Sequence, residues 1–118
     1  MEMKEIMQQQ NFAVVGNTLD PEKYAYLIKS RMEENGYTVY PVGKELASLN
    51  DIEGELDVID LCIHPAKGLK LMQECTKSFK GIVIQPGADS PELLAWLDEQ
   101  GLPYVHGCLL KGLEQFPR

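Results

Sequence analysis

The chain has 118 residues, the length of one ordinary domain, so separate cofactor and substrate lobes are not expected. Its 44% hydrophobic and 25% charged residues are those of a chain with a packed core, which argues against disorder. Eighteen acidic against eleven basic residues give a formal charge of −7, which repels a phosphate backbone and argues against nucleic acid as a partner.

No apolar run approaches the roughly 18 residues of a membrane span, and the stretch Met1–Asn11 lacks the apolar heart of a signal peptide. A cytoplasmic location without a membrane partner is the expectation. Cys62, Cys75 and Cys108 are widely spaced with no Cys-x-x-Cys pair, which disfavours a disulfide framework, a zinc site and a thioredoxin-type motif.

The first element, Phe12–Gly16, is an apolar run closed by glycine, the pattern of a central parallel strand covered on both faces. Asp20, Pro21 and Glu22 then read as an N-cap, a first helical proline and a first-turn acid, and Tyr24, Leu27, Ile28 and Met32 share one helical face as far as Gly36. Tyr37–Val42 is a second strand. Leu46, Leu49 and Ile52 suit a short turn of helix before a third strand, Leu56–Ile63. Pro65 opens a helix with Leu69, Met72, Cys75 and Phe79 at compatible spacing, and Gly81 precedes a fourth strand, Ile82–Gln85. Ser90, Pro91 and Glu92 repeat the cap signal for a helix carrying Leu93, Leu94, Trp96 and Leu97 to Gly101, and Pro103–Val105 is a short fifth strand.

Alternating strands and helices of this length imply right-handed crossovers and a doubly wound α/β fold: a Rossmann-like parallel sheet of about five strands with helices on both faces. Ligands of such sheets bind beyond the carboxyl ends of the strands. The candidate rim is therefore Gly16–Pro21, Val42–Lys44, Ile63–Pro65 and Gln85–Ala88.

At that rim, Gly16 and the expected helix start behind it offer free N–H groups to an anion. The Gly-x-Gly-x-x-Gly fingerprint is absent, because Thr18 and Pro21 hold its later glycine positions. Lys44 stands where an NAD site has an acid, which suits a phosphorylated ribose as in NADP or coenzyme A, although Glu45 beside it offers the alternative acid and Lys44 taken alone reads rather as a solvated surface charge. His64 and His106 have no visible catalytic partner, so a packing or local hydrogen-bonding role outweighs acid–base work for either. Asp60 inside an apolar strand must find partners, and loop amides are the expected ones. Cys108 lies past the fifth strand and is the one candidate reactive thiol, although a role as small apolar filler outweighs reactivity because nothing nearby in sequence would lower its pKa, whereas Cys62 and Cys75 read as core.

Taken in order, Phe12–Thr18, Lys23–Ala25, Gly36–Val42, Asp57–Asp60, Ile63–Pro65, Ile84–Gly87 and Val105–Cys108 resemble the motifs of small stand-alone CoA-binding proteins, from about Glu5 nearly to the end. The chain is also similar to the nucleotide-binding domain of the succinyl-CoA synthetase α subunit, but without a following phosphohistidine domain, so ligase activity is not implied. The resemblance implies that Gly16, Asn17, Thr18 and Lys23 hold the CoA phosphates. It likewise implies that Lys44 contacts the phosphorylated ribose, that Ile63, His64 and Pro65 border the adenosine, and that Gln85, Pro86 and Gly87 border the pantetheine path. The sequence departs from the family where Gly-Ala-Ser reads Gly16-Asn17-Thr18, where Val-Asn-Pro-Lys shortens to Val42-Gly43-Lys44, and where Arg-Cys reads Gly107-Cys108.

The expectation is a noncatalytic module that binds coenzyme A or an acyl-CoA. The alternatives are a small NADP-dependent or thiol-active enzyme using His64, His106 or Cys108, and an interaction subunit that has lost its ligand.

Overall fold

Phe12 through Gly16 are all buried, so the segment must have neighbours on both sides and on both faces. In the computed structural model, which describes residues 1–118, it forms most of β1 (Asn11–Gly16). The other strands are β2 (Thr38–Gly43), β3 (Val58–Leu61), β4 (Gly81–Ile84) and β5 (Tyr104–His106), and the sheet runs β2-β1-β3-β4-β5 with every pairing parallel.

The period of two in the strands sorts their side chains into two cores. Ala13, Val15, Ile59, Leu61, Ile82 and Ile84 pack with Leu49 of a 3-10 turn (Leu49–Asp51), Met72 of α3 (Pro65–Glu74), and Leu93 and Leu97 of α4 (Pro91–Glu99). Phe12, Val14, Val58 and Val83 pack on the opposite face against α1 (Met3–Met7), α2 (Tyr24–Glu34) and α5 (Leu109–Gln115). The doubly wound, Rossmann-like architecture expected from the sequence is therefore the observed one. None of the helices is long and apolar enough to cross a membrane.

Several boundaries differ from the sequence reading. Helix α2 begins at Tyr24 and not at Pro21: Asp20 accepts the Glu22 N–H at 3.0 Å through its side chain and the Lys23 N–H at 3.0 Å through its carbonyl, so the apparent cap builds a turn before the helix. Lys23 becomes the N-cap residue, without a side-chain cap. Helix α3 stops at Glu74 with Cys75 as its C-cap, leaving Phe79 outside. The third strand is confined to Val58–Leu61, and the fifth begins after Pro103, which has no N–H for the ladder, and takes in His106. Helices α1 and α5 are additions that the apolar pattern did not reveal.

At the amino end of the sheet, Asp57 ties β3 to β1 by accepting the Asn11 N–H at 2.9 Å, the Gln10 N–H at 3.3 Å and the Asn11 side-chain amide at 3.1 Å, with Lys80 at 3.5 Å. Burial pushes this carboxyl up, but those N–H groups and the Lys80 ammonium outweigh it and hold it below the usual range. Asp57 is thus a structural staple at the end remote from any rim site.

Candidate functional site

A parallel sheet aims all its carboxyl ends at one edge, and a cleft opens there where successive crossovers leave to opposite faces. Strand β1 feeds α2 on one face and β3 feeds α3 on the other, so the gap between Gly16–Asn17 and Ile63 is that point. A cleft of about 340 Å³ lies there, bounded by these residues, by Gly43 at the end of β2 with Lys44 and Ala47 beyond it, and by one face of α3.

The floor depends on two glycines. A Cβ on Gly16 would meet the Cys62 carbonyl oxygen and come within 2.9 Å of the Ala25 Cβ; one on Gly43, at φ +125°, would meet the Gly16 carbonyl oxygen at 2.7 Å. Gly16→Ala is expected to cost about 3 kcal/mol or more of stability, read by chemical denaturation, because the nearest obstacle is backbone and cannot swing away.

The charge in the cleft is positive. Lys44 enters from the loop after β2, and Lys67 and Lys70 enter from α3, beside Leu71 and Glu74. None of the three ammonium groups has an ion pair or hydrogen bond within the chain, whose ion pairs are Lys29–Glu33 and Lys80–Asp57. Lys67 and Lys70 are not among the rim residues expected from the sequence. Their signal was the spacing of Lys67, Lys70, Leu71 and Glu74, a single helical face opposite the buried one.

A second, shallower hollow of about 240 Å³ is lined by Cys62, Ile63, His64, Pro86, Gly87 and Ala88, and shares Ile63 with the cleft. Gly87 turns the chain at φ +89°. The two hollows bring together Gly16, Asn17, Lys44, Ile63, His64, Pro86 and Gly87 among the residues singled out in the sequence.

Others lie outside both hollows. The Thr18 hydroxyl is buried and donates to Glu45 Oε2 at 2.7 Å, and Lys23 is exposed at the head of α2. Pro65 is the first residue of α3. The buried Gln85 turns its Oε1 to the Leu109 N–H at 3.0 Å and so fastens the start of α5. His64 Nδ1 accepts the Ala66 N–H at 3.2 Å, capping α3. His106 is exposed at the end of β5, edge-on to Tyr104 at 5.7 Å, and Cys108 is the half-buried N-cap residue of α5.

Asp60 does not cap loop amides as expected. Both its oxygens are fully buried in β3 with no hydrogen-bond partner, between Val14 and Val83, and burial raises the carboxyl well above its ordinary value. Cys62 follows two residues on, and burial, then the nearby Asp60 and Cys108, push its thiol up to about 12. The thiolate that attacks a disulfide is therefore disfavoured at Cys62. Brief labelling with a disulfide reagent followed by peptide mapping is expected to find Cys108 modified well ahead of Cys62; the reverse order would show that its surroundings do not hold the Cys62 thiol protonated. No three His, Cys, Asp or Glu side chains converge as a metal ion would require.

Residues 10–114 match a family model described as a CoA binding domain. The chain belongs to that family. Among curated proteins, the CoA binding domain chain is 30% identical over 70 residues to an uncharacterised Bacillus subtilis protein, YneT; the match spans 51% of this chain and 52% of YneT, about half of each. Among solved structures, a hypothetical protein from Pyrococcus horikoshii OT3 superposes with a TM-score of 0.87 at 26% identity, over 97% of this chain and 89% of that one. A conserved hypothetical protein from Pyrococcus furiosus gives 0.78 at 29% identity, over 86% and 97%. The family relation supports a CoA-binding role and a small-molecule ligand for this CoA binding domain chain.

Proposed function

We propose that the protein binds coenzyme A or an acyl-CoA without transforming it, with the phosphates among Lys44, Lys67 and Lys70 and the pantetheine running over Ile63 toward His64, Pro86 and Gly87. The observation that carries this reading is the convergence of three unpaired lysines on the switch-point cleft of a chain whose formal charge is −7. Scattered lysines on an acidic surface need no explanation, but three in one cleft offer a polyanion a local positive field.

Selection against a dinucleotide is supported by Glu45. An NAD ribose needs an acid facing the ligand near the end of the second strand, and Glu45 lines neither hollow while Lys44 faces the cleft. The noncatalytic part of the reading is supported by His64, whose Nδ1 is committed to capping α3, and by His106 and Cys108, which line neither hollow.

Calorimetry is expected to give a CoA dissociation constant on the order of micromolar, about −8 kcal/mol, with NADH much weaker. Equal affinity for NADH would overturn the assignment. Purified protein is expected neither to hydrolyse acetyl-CoA nor to oxidise NADPH. Turnover that scales with protein and disappears in His64→Asn/His106→Asn, with the circular dichroism unchanged, would establish an enzyme instead.

A further inference from the structure

Lys44 has no ion pair or hydrogen bond of its own, so its position depends on the loop that carries it. That loop is tight: the Gly43 N–H donates to the Leu46 carbonyl at 2.6 Å and the Leu46 N–H to the Pro41 carbonyl at 3.1 Å. Its apex is fastened outward through the Glu45 carboxylate, which accepts the Thr18 hydroxyl at 2.7 Å. Thr18 belongs to the loop after β1, is 3% exposed, and has Asn17 as its neighbour. Asn17 and Lys44 line the cleft, whereas Thr18 and Glu45, the next residue of each loop, do not.

We propose that Thr18 and Glu45 are positioning residues: their hydrogen bond latches the loop after β2 to the loop after β1 and so sets Asn17 and Lys44 for the anionic ligand. A hydroxyl has one proton to donate, and here it goes to a carboxylate, so Thr18 serves the site through Glu45 rather than by donating to a phosphate. A charge-assisted bond to a largely buried hydroxyl resists competition by water better than an exposed one. The carboxylate beside a polyanion site is then retained for its acceptor atoms in spite of its charge. The inference rests on the reading of the cleft as a CoA site.

Two pairs of variants separate hydrogen bonding from charge. Glu45→Ala and Glu45→Gln lose the same charge, but the glutamine amide oxygen still accepts from Thr18. Calorimetry is expected to show Glu45→Ala binding CoA roughly tenfold more weakly than Glu45→Gln. Thr18→Val is expected to fall below Thr18→Ser by a similar factor. The double variant Thr18→Val/Glu45→Ala is expected to be no worse than either single one, and Lys44→Ala to lose less affinity in the Thr18→Val background than alone. If charge alone mattered, Glu45→Ala and Glu45→Gln would bind equally and both more tightly than the unsubstituted protein, which would overturn the latch. Should Thr18→Val fail to fold, the exposed Glu45 pair decides. If the unsubstituted protein does not bind CoA at all, the functional reading fails, and amide hydrogen exchange at residues 16–19 and 43–46 decides the latch: faster exchange in Glu45→Ala than in Glu45→Gln upholds it, and equal rates reject it.

Discussion

Asp60→Val is expected to stabilise the protein at pH 7 by about 1–3 kcal/mol, the cost of leaving a buried polar group without a partner. The carboxyl sits in β3 between Val14 and Val83, so valine matches both the strand and its neighbours. The pH dependence has a definite sign. Burial raises the folded-state carboxyl above its ordinary 3.8, so the folded protein retains a proton that the unfolded chain releases. The contribution of Asp60 to stability is therefore intact below pH 3.8 and is lost as pH rises toward the folded value. The advantage of Asp60→Val should accordingly grow from about pH 4 upward. Asp57 acts in the opposite direction, because its carboxyl is held low and its stabilisation disappears as acid protonates it. Asp60→Asn separates the two costs at Asp60: it removes the titration but leaves a buried amide unpaired, so its stability should lie below that of Asp60→Val and track it in pH. Denaturant midpoints at a series of pH values measure all of this, and an Asp60→Val protein less stable than its parent at pH 7 would show that the carboxyl has a partner.

The same residue shows where sequence reasoning stops. An Asp within an apolar run signals that something must be paired with it, but the absence of a partner is a tertiary fact. The strands were legible because Phe12–Gly16 and Ile82–Ile84 are apolar runs that only a doubly covered parallel sheet can bury, and the parallel sheet in turn located the rim. The two proline cap signals had different outcomes. Ser90 accepts the Leu93 N–H at 3.1 Å and starts α4, whereas Asp20 spends its side chain on the Glu22 N–H and its carbonyl on the Lys23 N–H, closing a turn ahead of α2. Helices α1 and α5, of five and seven residues, are too short to form without support, and they exist because Ile6, Met7 and Leu109 bury themselves against the sheet. At the site, Gly16, Asn17 and Lys44 were legible from strand ends. Lys67 and Lys70 were not, since lysines on the polar face of a helix read as solvated until the placement of α3 beside the switch point is known.

Replacing those lysines tests the site most severely. Lys44→Ala/Lys67→Ala/Lys70→Ala is expected to weaken CoA binding about a hundredfold or more, at ~1 kcal/mol for each ammonium group lost from a partly exposed cleft. The three side chains are exposed and pair with nothing in the chain, so the denaturation midpoint should hardly move. The loss is electrostatic and should be largest at low salt, shrinking as added salt screens the cleft. Glu74 supplies a control of opposite sign. It lines the same cleft from α3, so Glu74→Gln removes a repulsion and should tighten CoA while leaving the lysines in place. A nonspecific effect of net charge would make any lysine-to-alanine change equivalent, and Lys4, exposed and outside the cleft, provides that comparison. If Lys4→Ala weakened CoA as much as Lys67→Ala did, or if the triple variant bound as tightly as its parent, the ligand would have to sit elsewhere on the molecule.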